Sequence, residues 1–144
     1  MITIAPPGSS IFLSTTSMIV IPVNCVGVMG AGLAKEYANR YPEGLEAYRK
    51  ACKLHSLIPG HAYRYGRRTI FATTKDHWGN PSKIEWVRGC LWDILAISAL
   101  ADDAWIDIPA LGCGLGGLSW DWFKGAARST LGASEANFVL HPPH

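Results

Sequence analysis

Two stretches of this chain run without a break from a short apolar segment into a glycine-rich loop. The first is Ser17-Met-Ile-Val-Ile-Pro-Val-Asn24, followed by Asn24-Cys-Val-Gly-Val-Met-Gly-Ala-Gly32. It is rich in β-branched residues and shows no polar–apolar alternation, which suits a central strand covered on both faces. The second is Trp105-Ile-Asp-Ile-Pro109, also read as a buried strand, followed by Leu111-Gly-Cys-Gly-Leu-Gly-Gly-Leu118. Strands buried on both faces need a helical layer on each side of their sheet.

The rest of the chain supplies those helices. Ala31 to Tyr41 reads as a helix that Pro42 ends, and a second helical stretch runs from about Glu43 to His55. Ala62 to Tyr65 and Arg68 to Thr73 are short β-rich runs joined at Gly66-Arg67, the pattern of a hairpin. Ser82-Lys-Ile-Glu85 has the form of a capping box opening a long helix, whose apolar positions Ile84, Val87, Leu91, Ile94, Leu95 and Ile97 keep helical spacing to about Ala101. A helix over about Ser119 to Thr130 and a strand near Asn137 to His141 complete the order. The expected fold class is α/β, a three-layer α/β/α sandwich with a mixed sheet. With 144 residues, 49% of them hydrophobic, the chain can bury a real core but is too short for two ordinary domains, so one domain over residues 1–144 is expected.

Composition narrows the chemistry. A formal charge of +2 and a charged fraction of 17% supply no broad basic field for duplex DNA, so any nucleic acid must be gripped locally. Cys25, Cys52, Cys90 and Cys113 are scattered, with no paired spacing of a metal site, and fit a reducing intracellular setting. His141 and His144 lie close together, but at a terminus where fraying is expected; no metal and no cofactor are assigned. The longest apolar run, Met18 to Val23, is interrupted by Pro22 and far too short to span a bilayer, so a cytoplasmic protein without a membrane partner is expected.

In an open α/β sheet, the crevice beyond the strands' carboxyl ends is where ligands bind, and helices starting there aim unpaired amides at an anion. Glycines let backbone approach such a ligand because no Cβ intervenes. Neither loop ends in the GK[ST] of a phosphate-binding P-loop, and neither has the acidic partner of a dinucleotide fingerprint. A diphosphate and sugar held between two loops is the better physical reading.

Pro22-Val-Asn-Cys-Val-Gly-Val-Met-Gly-Ala-Gly-Leu-Ala34 resembles the first ligand loop of the macrodomain family, and Ile108-Pro-Ala-Leu-Gly-Cys-Gly-Leu-Gly-Gly-Leu-Ser-Trp120 resembles the second. Phe71-Ala-Thr-Thr-Lys-Asp-His-Trp78 is similar to the TK-x-HW segment of the DarG-type antitoxin macrodomains, a branch shared with terminal ADP-ribose glycohydrolases. The resemblance implies an ADP-ribosyl glycohydrolase that removes ADP-ribose from thymidine in single-stranded DNA. Its implied partners are ADP-ribose, ADP-ribosylated single-stranded DNA and a cognate ADP-ribosyltransferase toxin.

The resemblance also implies roles for particular residues. Asn24 would bond the distal ribose; Gly27, Val28, Met29, Gly30, Ala31 and Gly32 would form one wall; Gly112, Cys113, Gly114, Leu115, Gly116 and Gly117 would cradle the diphosphate and ribose. Lys75, beside Thr74, would be the nucleophile that attacks the anomeric carbon and leaves a covalent sugar adduct for water to resolve. His77 and Trp78 would shape the site, Trp78 by stacking on a base. From the residues alone, Asn24 equally fits a strand-end turn, Met29 a core contact, Lys75 a solvated loop lysine, and His77 with Trp78 local packing.

Arg64, Arg67 and Arg68 at the hairpin turn are candidates for phosphate contact, or for a solvated turn. Glu135, before the last strand, loosely matches an acidic position of the related glycohydrolases and also fits a surface carboxylate. Where macrodomains commonly place an acidic adenine reader after an early glycine, Gly8 is followed by Ser9-Ser10. Three other readings stand beside the DNA hydrolase: a hydrolase of ADP-ribosyl-glutamate in protein, a non-catalytic ADP-ribose-binding module, and an ADP-ribose 1″-phosphate phosphatase.

Overall fold

A computed structural model describes residues 1–14 and 17–143. The elements in chain order are β1 (Ile2–Ile4), β2 (Met18–Val23), α1 (Gly32–Arg40), α2 (Pro42–Lys53), β3 (Ala62–Tyr65), β4 (Thr69–Thr73), α3 (Ile84–Ala99), β5 (Trp105–Pro109), α4 (Trp120–Leu131) and β6 (Asn137–His141). They build one six-stranded sheet in the order β1-β6-β5-β2-β4-β3. Only β3 runs antiparallel, paired with β4 through the hairpin. The sheet is mixed, as expected. β1, which the sequence reading did not anticipate, is too short to show a period and pairs with β6 at the edge.

The period of two in β2 divides the core. Ile19, Ile21 and Val23 face α1 and α2, packing with Phe71, Tyr37 and Tyr48. Met18 and Val20 face the opposite layer, with Ile70, Ala72, Ile106 and Ile108 against Val87, Leu91 and Ile94 of α3 and Phe123 of α4. The helices thus form two layers on either side of the sheet, the three-layer sandwich read from the sequence.

Pro22 locates the crevice. The Ile19 amide donates to the Arg68 carbonyl, on the β4 side, so alternate residues Val20 and Pro22 direct their backbone groups toward β5. Pairing with β5 covers only Met18↔Ile106 and Ile19↔Asp107, whereas pairing with β4 continues to Val23↔Thr73. Proline has no amide to offer a neighbour, and it stands where β2 and β5 have parted. This is also the switch point of the topology, since β2 leads to β4 on one side while β5 lies on the other.

Two local readings need correction. α3 starts at Ile84 with Lys83 as N-cap and no side-chain capping bond, so Ser82 and Glu85 do not form a capping box. Ser82 is instead turned inward and buried. A side-chain cap that the sequence reading did not name is found on α4, where Ser119 Oγ accepts the Trp122 amide at 2.9 Å. His141 is not frayed but sits in β6, its Nε2 2.7 Å from Oδ1 of buried Asp107, whose other oxygen accepts from Ser17 Oγ. His144 lies outside the described residues.

Gly44 tests the packing of α2 on α1. A Cβ there would fall 2.0 Å from Tyr37 Oη, which bonds Thr69 Oγ1 at 3.1 Å. Helix propensity favours alanine by about 1 kcal/mol, while overpacking a fixed aromatic costs about 1–3 kcal/mol. Gly44→Ala is expected to lower the unfolding free energy in urea, and a stabilised variant would show that Tyr37 yields without loss.

Candidate active site

The two central strands carry their pairing beyond their ends. The Thr74 amide donates to the Val23 carbonyl at 3.1 Å, and the Cys25 amide donates to the Asp76 carbonyl at 3.2 Å. These bonds set Asn24 and Lys75 side by side at the carboxyl edge of the sheet. Asn24, 6% exposed, then organises the first loop from within. Its Oδ1 accepts the amides of Val26 and Val28 at 3.0 and 3.4 Å, and its Nδ2 donates to the Val28 carbonyl at 2.8 Å. Tyr48 Oη, fully buried on α2, reaches both Asn24 Oδ1 at 2.6 Å and the Asn24 carbonyl at 2.8 Å. Burial raises the Tyr48 pKa above the ordinary phenol range, so the hydroxyl is a lasting donor.

The loop delivers the chain to α1, whose N-cap, Ala31, offers no side-chain bond and whose first turn holds no acidic residue. The first amides of α1 are thus free of side-chain caps, and residues Ala31 to Ala34 line the crevice at the positive end of the helix dipole. The second loop is shaped by steric necessity. Gly112 has φ +75°, and a Cβ on Gly116 would meet the Gly112 carbonyl oxygen and Ser82 Oγ, each at 2.5 Å. The Ser82 amide donates to the Gly116 carbonyl at 3.1 Å, tying this loop to the start of α3.

Between the loops lies a cleft of about 580 Å³. Of the residues implied by the resemblance, Asn24, Val28, Gly30, Ala31, Gly32, Thr74, Lys75, Trp78, Gly112, Gly114, Leu115 and Gly116 line it. The others sit behind its walls. Gly27 turns its carbonyl to Arg49 of α2, and Met29, 7% exposed, packs into the core beside Tyr37 and Tyr48. Cys113 packs against the opposite core, and the Gly117 amide closes a turn onto Gly114. His77 is exposed; its Nδ1 accepts the Gly79 amide at 3.0 Å, and its ring lies 4.9 Å from that of Trp78. The sequence reading did not include Pro22, Val23, Leu33, Ala34, Ser82 and Ala110, which also line the cleft. Pro22 was legible in retrospect as a proline in a central strand.

Lys75 is the one charged side chain among these lining residues. Its Nζ donates to the Trp78 carbonyl at 3.3 Å, inside a turn that Asp76 holds by accepting from Asn80 Nδ2 and the His77 amide. Those two bonds, Asn80's first, keep the Asp76 carboxyl below its ordinary pKa. Burial pushes the Cys25 and Cys113 thiols up to about 11, the direction that disfavours a thiolate. The cleft therefore offers an apolar floor, backbone donors on two sides and one amine, the equipment for holding an anion and attacking an electrophilic carbon.

The arginines lie elsewhere. The hairpin turn precedes β4, so Arg64, Arg67 and Arg68 stand at the amino-terminal edge of the sheet, opposite the cleft. Arg64 is bonded to the Gly66 carbonyl at 3.1 Å, and Arg68 to the carbonyls of Ser17, at 3.0 Å, and Ser14. Arg64 and Arg68 anchor the turn, and none of the three arginines lines the cleft. Glu135, exposed before β6, is on that same far edge. Ser9 and Ser10 use their hydroxyls within their own turn, on the Pro6 carbonyl and the Phe12 amide.

Comparison with known proteins gives a consistent picture. The Macro domain family model matches residues 20–127. A Mycobacterium tuberculosis protein named DNA ADP-ribosyl glycohydrolase is 37% identical over 136 residues, 89% of this chain and 39% of that protein. The chain thus spans well under half the length of that relative. The solved macrodomain of Mycobacterium tuberculosis DarG superposes with a TM-score of 0.91 at 33% identity, covering 100% of this chain and 99% of that one. Thermosipho africanus DarTG in complex with ADP-ribose gives a TM-score of 0.83 at 28% identity, covering 93% of this chain and 40% of that one.

Asn24→Ala should strip the first loop of its internal bonds and leave buried groups unpaired, at roughly 1–3 kcal/mol of stability. Hydrogen exchange checks the cause. The Val26 and Val28 amides should exchange faster in the variant, and unchanged protection would mean that the loop is held without Asn24.

Proposed function

The chain belongs to the macro domain family, and from that premise we propose that it binds ADP-ribose in the cleft and removes it from thymidine in single-stranded DNA. The observation that carries the reading is the placing of Lys75: the single charged group lining a cleft whose other donors come from glycine loops and the uncapped start of α1. The diphosphate occupies the loop amides and helix start, and the apolar lining takes the sugars and base. The exposed ring of Trp78, at the cleft rim, offers a stacking face for the modified base or its neighbour. The names of the similar proteins, a DNA ADP-ribosyl glycohydrolase and a DarTG bound to ADP-ribose, support the same substrate class.

In the proposed reaction the neutral Lys75 amine attacks the anomeric carbon of the distal ribose. The bond from that carbon to the thymine nitrogen breaks, and its electron pair leaves with the base, which takes up a proton. Water then displaces the lysine from the sugar, releasing ADP-ribose and restoring the amine. An enzyme that erases this mark requires one that writes it, so the cognate partner is an ADP-ribosyltransferase acting on thymidine.

A second reading, a module that binds ADP-ribose without turning it over, has its own support. Lys75 spends a donor on the Trp78 carbonyl, and among the described residues no carboxylate lines the cleft to activate water.

One experiment separates them. Wild-type protein should release ADP-ribose from an oligonucleotide carrying ADP-ribosylated thymidine, and Lys75→Ala should be slower on the order of a thousandfold or more. The variant should still bind free ADP-ribose within a few fold by calorimetry, because the loops and helix start are intact. Wild-type binding without release would favour the module reading.

A further inference from the structure

Ser82 stands out among the residues that the mechanism leaves unused. It lines the cleft, is 6% exposed, and its Oγ finds no hydrogen-bond partner among the described residues. The hydroxyl serves no helix cap, because Lys83 takes the N-cap position of α3 without a side-chain bond. Leaving a buried hydroxyl unpaired carries a desolvation penalty that alanine would avoid in the same space.

The second glycine loop is built around this hydroxyl. Gly116 lies directly over it, where a Cβ would approach Oγ to 2.5 Å, and a Cβ on Gly112 would come within 3.2 Å of Ser82 Cβ. Ser82 and Gly116 both line the cleft. The flanking positions face open space, with nothing within 4 Å of a Cβ at Gly114 or Gly117, and Gly112 and Gly117 hold φ values of +75° and +83° that suit glycine. What enters the cleft there meets backbone donors and a hydroxyl proton, so the matching ligand atom is an acceptor, and an anionic oxygen is the strongest.

We propose that Ser82 is a ligand-binding residue: when a diphosphate enters, the loop lifts at Gly116 and Ser82 Oγ donates to a phosphate oxygen. This rests on the ADP-ribose reading above. Ser82 thereby couples occupancy of the cleft to the shape of the 112–117 loop, because the bond forms only in the lifted state.

The test compares wild type with Ser82→Ala, measuring affinity for ADP-ribose and for adenosine by calorimetry and the melting temperature without ligand. The expected result is roughly tenfold weaker ADP-ribose binding, unchanged adenosine binding, and a melting temperature equal to or above that of wild type. Hydrogen exchange of the Gly114 to Gly117 amides should respond to ADP-ribose in wild type and much less in the variant. If wild type binds ADP-ribose and Ser82→Ala binds it equally well, the proposal is overturned while the functional reading stands. A variant that loses melting temperature and binds both ligands less well would show Ser82 to be a packing residue and overturn it too. If wild type itself does not bind ADP-ribose, both fall together.

Discussion

The parallel ladder between β2 and β4 is the interaction on which the site depends. It runs from Ile19↔Thr69 to Val23↔Thr73 and continues past both strand ends through the bonds of Thr74 to Val23 and Cys25 to Asp76. Lys75 is therefore placed by backbone, with Asn24 fixed across from it by the same ladder. Slipping this register by one residue would turn Ile21 and Val23 from the α1–α2 core into the opposite layer. The apolar alternation of β2 therefore enforces the alignment of the functional side chains. On the other flank the pairing stops early, and the gap left by β5 beyond Pro22 becomes the cleft.

Stability and function pull in opposite directions around that gap. A serine, threonine or aspartate at the N-cap of α1 would stabilise the helix by about 0.5–2 kcal/mol relative to alanine. Ala31 stands there instead. A capping side chain would occupy the amides that an anion needs and, as aspartate, would repel it. The same trade is visible at Gly112 and Gly116, where close approach of backbone to backbone excludes any Cβ. Lys75 is the one charged side chain among the residues lining the cleft, so the field there is set by its amine and the backbone dipoles.

The fold was largely legible in the sequence, and the reasons are local. β-branched runs gave β2, β4 and β5; the hairpin at Gly66-Arg67 gave the antiparallel strand; Pro42 divided α1 from α2. What escaped has physical causes. β1 is only three residues long, too short for a pattern, and is held by pairing with a strand more than 130 residues away. Ser82-x-x-Glu85 satisfies the capping pattern, but a pattern records spacing and not direction: the helix begins one residue later and the serine turns inward. Met29 and the arginines show a related limit. Loop residues can face core or cleft, and sequence position alone does not reveal which end of the sheet a turn occupies. Pairing β4 parallel to β2 puts the arginine turn on the far edge.

The two glycine loops, so alike in sequence, are held by different physics. In the first, one buried asparagine bonds to the backbone at three points and is itself clamped by a tyrosine from α2, so the loop is tied to the core at its centre. Deforming it would break several buried hydrogen bonds together, each worth about 0.5–1.5 kcal/mol net and more when a partner is left unpaired. The second loop bonds mainly to itself, through Leu118 to Gly112 and Gly117 to Gly114, with the Ser82 amide as its link to α3. In the proposal above, a displacement at Gly116 costs the Ser82 amide bond, and a bond from the unpaired Ser82 hydroxyl to the arriving acceptor offsets it. A cleft with one wall fixed and the other yielding would keep Lys75 in register with the first wall while the second adjusts to what enters. That division follows from the Asn24 side chain having Tyr48 for a partner and the Ser82 hydroxyl having none among the described residues.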